Sequence, residues 1–133
     1  MSLDLSDSVS SDELLGRYLP EKTYFSSTGN SVKPKAFMPP PDLRLSVFRI
    51  DGLNLEEIWK LGQVKVINIM TVSKVLYGVA NIRALKIKKN RLEIDPDNIP
   101  LRHVNIIGWP KEKERQMQIA QELAAEADLV LKQ

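Results

Sequence analysis

The fold class is decided by residues 43–62, LRLSVFRIDGLNLEEIWKLG. In the first half of this stretch apolar and polar side chains alternate, which predicts a half-buried strand over residues 43–50. In the second half Asn54 can cap a helix, and two glutamates follow in the first turn, where the helix dipole favours negative charge. We therefore expect a strand that is followed by a helix over residues 54–61, so that both kinds of element belong to one domain.

The residues that follow predict further strands around a basic turn. Residues 64–77 favour an extended piece and then a helical turn or two. A two-residue turn at Lys89 and Asn90 would place four apolar residues on one face of a β-hairpin, namely Leu85, Ile87, Leu92 and Ile94. A last strand is expected over residues 103–109, where Gly108 and Pro110 mark its end.

The end of the chain predicts a long helix from Pro110 to about Leu131. Proline suits the first turn of a helix, and an apolar stripe runs along the segment at Ile119, Ala120, Leu123, Ala127 and Val130. A second apolar set lies beside the stripe at Met117, Ala124 and Leu131, and it offers a contact for a homodimer.

Together these patterns predict one α+β domain over residues 12–133. We expect a small, largely antiparallel sheet of about four or five short strands, packed by the long C-terminal helix and by one shorter helix. Residues 1–11 are rich in Ser and Asp and are interpreted as a mobile acidic tail. Ser11 and the residues after it could form one short helical turn, and a long polar loop is expected from Arg17 to Pro41.

Composition excludes several classes of chemistry. The chain has 133 residues, with 19 Lys and Arg against 17 Asp and Glu, one His and no Cys. Sites built on cysteine, thiol nucleophiles and disulfides are therefore impossible, and one His cannot supply a His-rich metal site. No apolar run approaches the ~18–20 residues of a membrane-spanning helix, and no signal peptide pattern opens the chain. We expect a bacterial cytoplasmic protein with no metal and no cofactor.

The single histidine, His103, is the natural candidate for acid–base chemistry, because an unperturbed imidazole titrates near neutrality. Spacing alone fixes no Ser or acid as its partner, and Asp95 and Asp97 are typical of a turn. The leading hypothesis is a small binding or accessory protein that engages an anionic ligand or a protein partner near Arg17, Arg44, Ser46 and His103. An enzyme acting on a phosphate or nucleotide substrate, with His103 as acid or base, is an alternative.

A second alternative is nucleic-acid binding through a basic hairpin over residues 83–91. Its bases are Arg83, Lys86, Lys88, Lys89 and Arg91, with no acid among them. Such a cluster can lie against a phosphate backbone. No aromatic residue in the stretch could stack on bases, and a solvated sheet edge explains the lysines as well.

A series of short motifs runs along residues 16–130: Arg17 with Leu19-Pro20, Gly29 with Pro34, Ala36-Phe37, Leu45-Ser46-Val47, Tyr77-Gly78-Val79-Ala80, Pro100, His103 and Gly108-Trp109-Pro110. Their order resembles a loose group of small bacterial proteins of unknown function. The resemblance implies no activity. It implies that Arg17, Phe37, Ser46 and His103 belong to one pattern, and that a pocket forms if these four residues converge.

Overall fold

Eight strands build two antiparallel sheets in the computed structural model, which describes residues 8–133. The strands are β1 (Leu14–Leu19), β2 (Phe25–Ser26), β3 (Ser31–Val32), β4 (Leu45–Arg49), β5 (Gly78–Arg83), β6 (Glu93–Asp95), β7 (His103–Ile107) and β8 (Asp128–Leu131). Six of them form one sheet in the order β6-β7-β4-β1-β5-β8, and β2 pairs with β3. The predicted α+β class is confirmed, with more strands than the sequence indicates.

Within residues 8–133, three α-helices accompany the sheets: α1 (Leu55–Gly62), α2 (Ala84–Lys88) and α3 (Lys113–Glu126). Helix α1 begins where the sequence predicts because Asn54 and Glu57 form a reciprocal capping box. The Asn54 side chain accepts from the Glu57 backbone N–H at 2.8 Å, and the Glu57 carboxylate accepts from the Asn54 N–H at 3.0 Å. A single π-helical turn, Gln63–Ile67, continues α1 instead of the expected extended piece.

Both faces of the large sheet are covered by apolar side chains. Alternation along β4 sends Leu45 and Val47 into the cluster beneath α3, whereas Phe48 belongs to the cluster beneath α1. The α3 cluster is the larger and includes Leu15 and Leu19 of β1. Ser46 therefore lies on the α1 face of the sheet, and residue 17 lies on the α3 face.

The predicted hairpin over residues 83–91 is wrong. Arg83 ends β5, and the next five residues form α2. Helical spacing brings Ala84 and Ile87 to the same side, where both are fully buried, whereas Leu85 stays 47% exposed. The apolar spacing that suits a hairpin here belongs to a short helix, which buries Ala84 and Ile87 on one side, whereas a strand would send them to opposite faces.

The C-terminal helix is confirmed but is shorter than predicted. It ends at Glu126, and Asp128–Leu131 forms the edge strand β8 beside β5. The second apolar set thus does not form a helical stripe, because Ala124 is buried in the core and Leu131 lies in β8. The three residues of the predicted homodimer contact therefore do not form one continuous apolar surface.

Most of the predicted acidic tail, residues 1–7, lies outside the described residues. Its last part packs on the domain: Val9 is buried, and its carbonyl accepts from Lys88 Nζ at 2.9 Å. The helical turn expected after Ser11 is replaced by β1, which begins at Leu14. Within residues 8–133, no helix combines the length and apolar character that crossing a membrane requires.

Candidate functional site

Ser46, His103 and Asp97 form a continuous chain of hydrogen bonds. Ser46 is the second residue of β4, and His103 is the first residue of the neighbouring strand β7. His103 Nε2 lies 3.0 Å from Ser46 Oγ, and His103 Nδ1 lies 2.8 Å from Asp97 Oδ1. A nucleophile, a base and a carboxylate that orients the base have this arrangement in hydrolases. We call the three residues the triad.

Strand register brings the histidine and the serine together. In the β4–β7 ladder Phe48 is opposite His103, and Ser46 is opposite Asn105. His103 and Ser46 are therefore diagonal neighbours on the same face. The imidazole packs edge-on against the Phe48 ring, with 5.4 Å between the ring centroids.

The loop before β7 holds Asp97 in place. Asp97 Oδ1 accepts from the Ile99 backbone N–H at 3.2 Å, and Oδ2 accepts from the Asn105 side chain at 3.0 Å. Partial burial raises the pKa of Asp97, but the hydrogen bonds from His103, Ile99 and Asn105 together lower that pKa below its ordinary value. Asp97 is thus a carboxylate at neutral pH.

The ionised carboxylate assigns the protons of the triad. A carboxylate only accepts hydrogen bonds, so His103 Nδ1 must donate to Asp97. In the neutral imidazole Nε2 is then the acceptor, and it receives the hydroxyl proton of Ser46. This is the tautomer in which His103 can remove the proton of Ser46.

A cleft of about 330 Å³ opens at the triad. Its walls are mainly apolar and come from the sheet, from the segment after α1 and from the loop before His103: Ser46, Phe48, Lys65, Val66, Ile69, Met70, Pro100 and His103. Ile69 is 70% exposed, so the apolar wall continues to the mouth. We call this space the triad cleft.

Arg17 does not enter the triad cleft. Its guanidinium lies on the α3 side of the sheet, where Nε donates to the Ala36 carbonyl at 2.8 Å and Nη1 donates to the Ser46 carbonyl at 3.1 Å. Arg17 thus contacts the backbone of Ser46 from the opposite face. Phe37, the fourth residue of the pattern that the resemblance implies, is fully buried in the core beside Ala36.

Arg44 lies on the same face as Ser46 but is paired. Its Nη2 lies 3.3 Å from the carboxylate of Asp95, and the two side chains are about half exposed. The two arginines of the predicted anion site therefore have other partners, and only Ser46 and His103 of the four predicted residues line the triad cleft.

The basic residues of 83–91 do not form one free cationic surface. Arg83 donates to the Asp12 carbonyl at 2.8 Å, Lys86 lies 3.3 Å from Glu126, and Lys88 donates to the Val9 carbonyl. Lys89 and Arg91 are exposed in the turn after α2. Because three of the five bases contact the domain itself, no observation favours nucleic-acid binding there.

Sequence reasoning missed Asp97 and Lys65. Asp97 is six positions before His103, and this short spacing with Pro100 between them was the signal that the loop folds back on the histidine. No feature of the sequence pointed to Lys65, because it lies in a π-helical turn where the sequence predicts an extended piece.

In the part of the chain from residue 8 onward, no three His, Asp or Glu side chains lie close enough to hold a metal ion. Comparison of the chain with protein-family models, curated proteins and solved structures gave no match. The resemblance to small bacterial proteins of unknown function therefore stays a prediction.

Proposed function

We propose that this protein is a serine hydrolase that cleaves an ester with an apolar acyl or alcohol part. The observation that carries the proposal is the hydrogen-bonded chain from Asp97 through His103 to Ser46, with distances of 2.8 and 3.0 Å, at an open cleft. Position and orientation identify such a triad, since it recurs on unrelated folds. The apolar walls support an acyl substrate rather than a highly charged one.

The chemistry follows from the protonation states of the triad. Ser46 Oγ attacks the ester carbonyl while its proton passes to His103 Nε2, and the ionised Asp97 stabilises the imidazolium that forms. The bond from the carbonyl carbon to the alcohol oxygen then breaks, and Nε2 gives its proton to that oxygen. Water enters, loses a proton to Nε2 and releases the acid from the acyl-Ser46 ester, so that the serine and the neutral histidine are restored.

A fluorophosphonate probe tests the nucleophile directly, because it forms a covalent bond to an activated serine oxygen and releases fluoride. We expect mass spectrometry to find the adduct on Ser46, and a coloured short-chain ester such as p-nitrophenyl butyrate to be hydrolysed. Ser46→Ala and His103→Gln should each lower turnover by ~10³-fold or more. Ser27→Ala, at an exposed serine outside the triad cleft, is the matched control.

The proposal fails if the folded wild-type protein neither labels at Ser46 nor hydrolyses the ester. It also fails if His103→Gln labels as fast as the wild type, since the serine would then react without its base. Thermal unfolding of each variant separates loss of activity from loss of folding.

Ligand binding without catalysis is the second candidate function. Lys65 favours it, because this exposed lysine adds an ammonium group to the hydroxyl and the imidazole that line the triad cleft. An accessory protein of this kind would bind an anion at Ser46, His103 and Lys65 and would leave it unchanged. On either candidate function we place the protein in the cytoplasm, on its sequence features alone.

A further inference from the structure

A second groove lies beside the triad cleft. It has a volume of about 390 Å³ and combines apolar with cationic side chains: Leu53, Glu57, Lys60, Leu61, Val64, Lys65, Leu101 and Arg102. We call it the cationic groove. Lys65 lines both spaces, and the consecutive residues Pro100 and Leu101 line the triad cleft and the cationic groove respectively. One extended ligand can thus occupy both.

The charges of this groove are unbalanced. Three bases line it against one acid, Glu57, so positive charge is in excess; the Glu57 carboxylate also accepts from the Asn54 backbone N–H at 3.0 Å. Lys60 and Lys65 are exposed, and Arg102 is anchored by a 3.1 Å bond from Nη1 to the Arg49 carbonyl. A surface with this excess of positive charge attracts anions and favours ligands that carry one.

The apolar side chains of the groove indicate that the ligand also has a hydrocarbon part. Leu101 is 53% exposed and Val64 is 42% exposed, so the groove offers hydrocarbon surface between its cations. Such surface in contact with a ligand stabilises binding by ~25 cal/mol for each Å² that is removed from water. A compact inorganic anion would leave this surface unused.

We propose that the cationic groove binds the anionic end, a carboxylate or a phosphate, of an amphiphilic ester whose scissile bond lies at Ser46. This inference rests on the proposed function, because the ligand that it describes is the substrate of the triad. Lys65 holds the charged end at the junction of the two spaces. Val64 and Leu101 contact the carbons next to the charged end, the hydrocarbon continues along the apolar walls of the triad cleft, and the ester carbonyl lies at Ser46.

Paired substrates test the inference. Mono-p-nitrophenyl glutarate carries a free carboxylate, whereas p-nitrophenyl butyrate is neutral, and both release the same coloured alcohol. We expect kcat/KM for the anionic ester to exceed that for the neutral ester by about 10-fold at low salt, and the preference to shrink as ionic strength rises. Lys65→Gln should abolish the preference. Lys89→Gln, which removes an exposed lysine far along the chain, should leave it intact. Comparing kcat/KM for the glutarate ester with kcat/KM for an ester that ends in a phosphate shows which of the two anionic ends, carboxylate or phosphate, the groove prefers.

Equal kcat/KM values for the two esters, or a preference that survives in Lys65→Gln, would overturn the inference while the hydrolase proposal stood. If neither ester is hydrolysed, titration of Ser46→Ala with monobutyl glutarate, followed by NMR, separates the two ideas. Salt-sensitive binding that Lys65→Gln removes would support the groove and reject the hydrolase. Absence of binding would reject the groove as well.

Discussion

Replacing Arg17 by Met should destabilise the protein strongly, although the sequence placed this residue in a ligand site. The β1–β4 ladder has only two residue pairs, at Leu15 and Gly16. Past that point the Arg17 guanidinium donates to the Ser46 carbonyl of β4 at 3.1 Å and to the Ala36 carbonyl, in the segment before β4, at 2.8 Å. The variant would leave both carbonyls without this donor.

The magnitude follows from these two contacts. A hydrogen bond to a charged group contributes ~1.5–3 kcal/mol to stability. Part of this is offset, because burial, the larger influence, lowers the pKa of Arg17 despite the opposing effect of Tyr24, and so the charged form is held at a cost. We expect a net loss of about 2–4 kcal/mol in the free energy of unfolding. At roughly 3–5 °C for each kcal/mol, Tm should fall by roughly 6–20 °C.

Urea unfolding followed by circular dichroism measures this loss, and Arg44→Met is the matched control. Arg44 Nη2 lies 3.3 Å from the Asp95 carboxylate, and both side chains are about half exposed. Removing this ion pair should therefore lower the free energy of unfolding by only about 0–1 kcal/mol. Unfolding of Arg17→Met within about 1 kcal/mol of Arg44→Met, at the same m-value, would contradict this prediction. In that case Arg17 would not bridge the strands.

Three further outcomes follow from other contacts. Glu13→Gln should destabilise the protein by roughly 2–4 kcal/mol in urea unfolding, because it removes the carboxylate that lies 2.6 Å from the buried Arg49 guanidinium; a loss below 1 kcal/mol would contradict this. Asp97 has a lowered pKa in the folded state, so it stabilises the protein above the unfolded value of about 3.9, and this contribution is lost as the pH falls through the folded value. Asp97→Asn should therefore flatten the acid limb of stability against pH, and an unchanged limb would count against the hydrogen bonds described. Gly62→Ala should lower Tm, since the added Cβ would lie 2.5 Å from the buried Tyr18 ring, and an unchanged Tm would show that the ring can move.

Local signals predicted the elements around residues 43–62 correctly. The capping box at Asn54 and Glu57 involves neighbours in sequence, and the alternation along β4 reports one sheet face with polar positions. Strands β1 and β5 were missed for a physical reason. Their apolar residues are buried on both faces of the sheet, so the period of two is lost, whereas β4 keeps the exposed Ser46 on one face.

The site was predictable only in part, because its contacts depend on long-range pairing. Ser46 and His103 were recognised as chemistry-bearing residues, but 57 positions separate them, and the β4–β7 register alone makes them neighbours. The same register assigns faces. Alternation within β1 places the Arg17 side chain on the α3 face of the sheet, whereas the Ser46 side chain lies on the α1 face. Composition and spacing could not show this, because β1 itself was not predicted.

Arg17 connects the stability of the sheet to the geometry of the triad. It binds the Ser46 carbonyl from the α3 side, while the Ser46 hydroxyl contacts His103 on the other side. Ser46 lies past the point where the β1–β4 ladder stops, so on the β1 side its backbone is held by this guanidinium rather than by a strand. A nucleophile must stay within hydrogen-bond reach of its base, and a loss of ~1 Å in position can lower a rate by 10²-fold. In Arg17→Lys, which keeps the charge and loses the forked donor, labelling of Ser46 should therefore slow more than the loss of stability accounts for. If the wild type and Arg17→Lys are labelled at equal rates, at a temperature where both are folded, the β4–β7 pairing alone positions the serine.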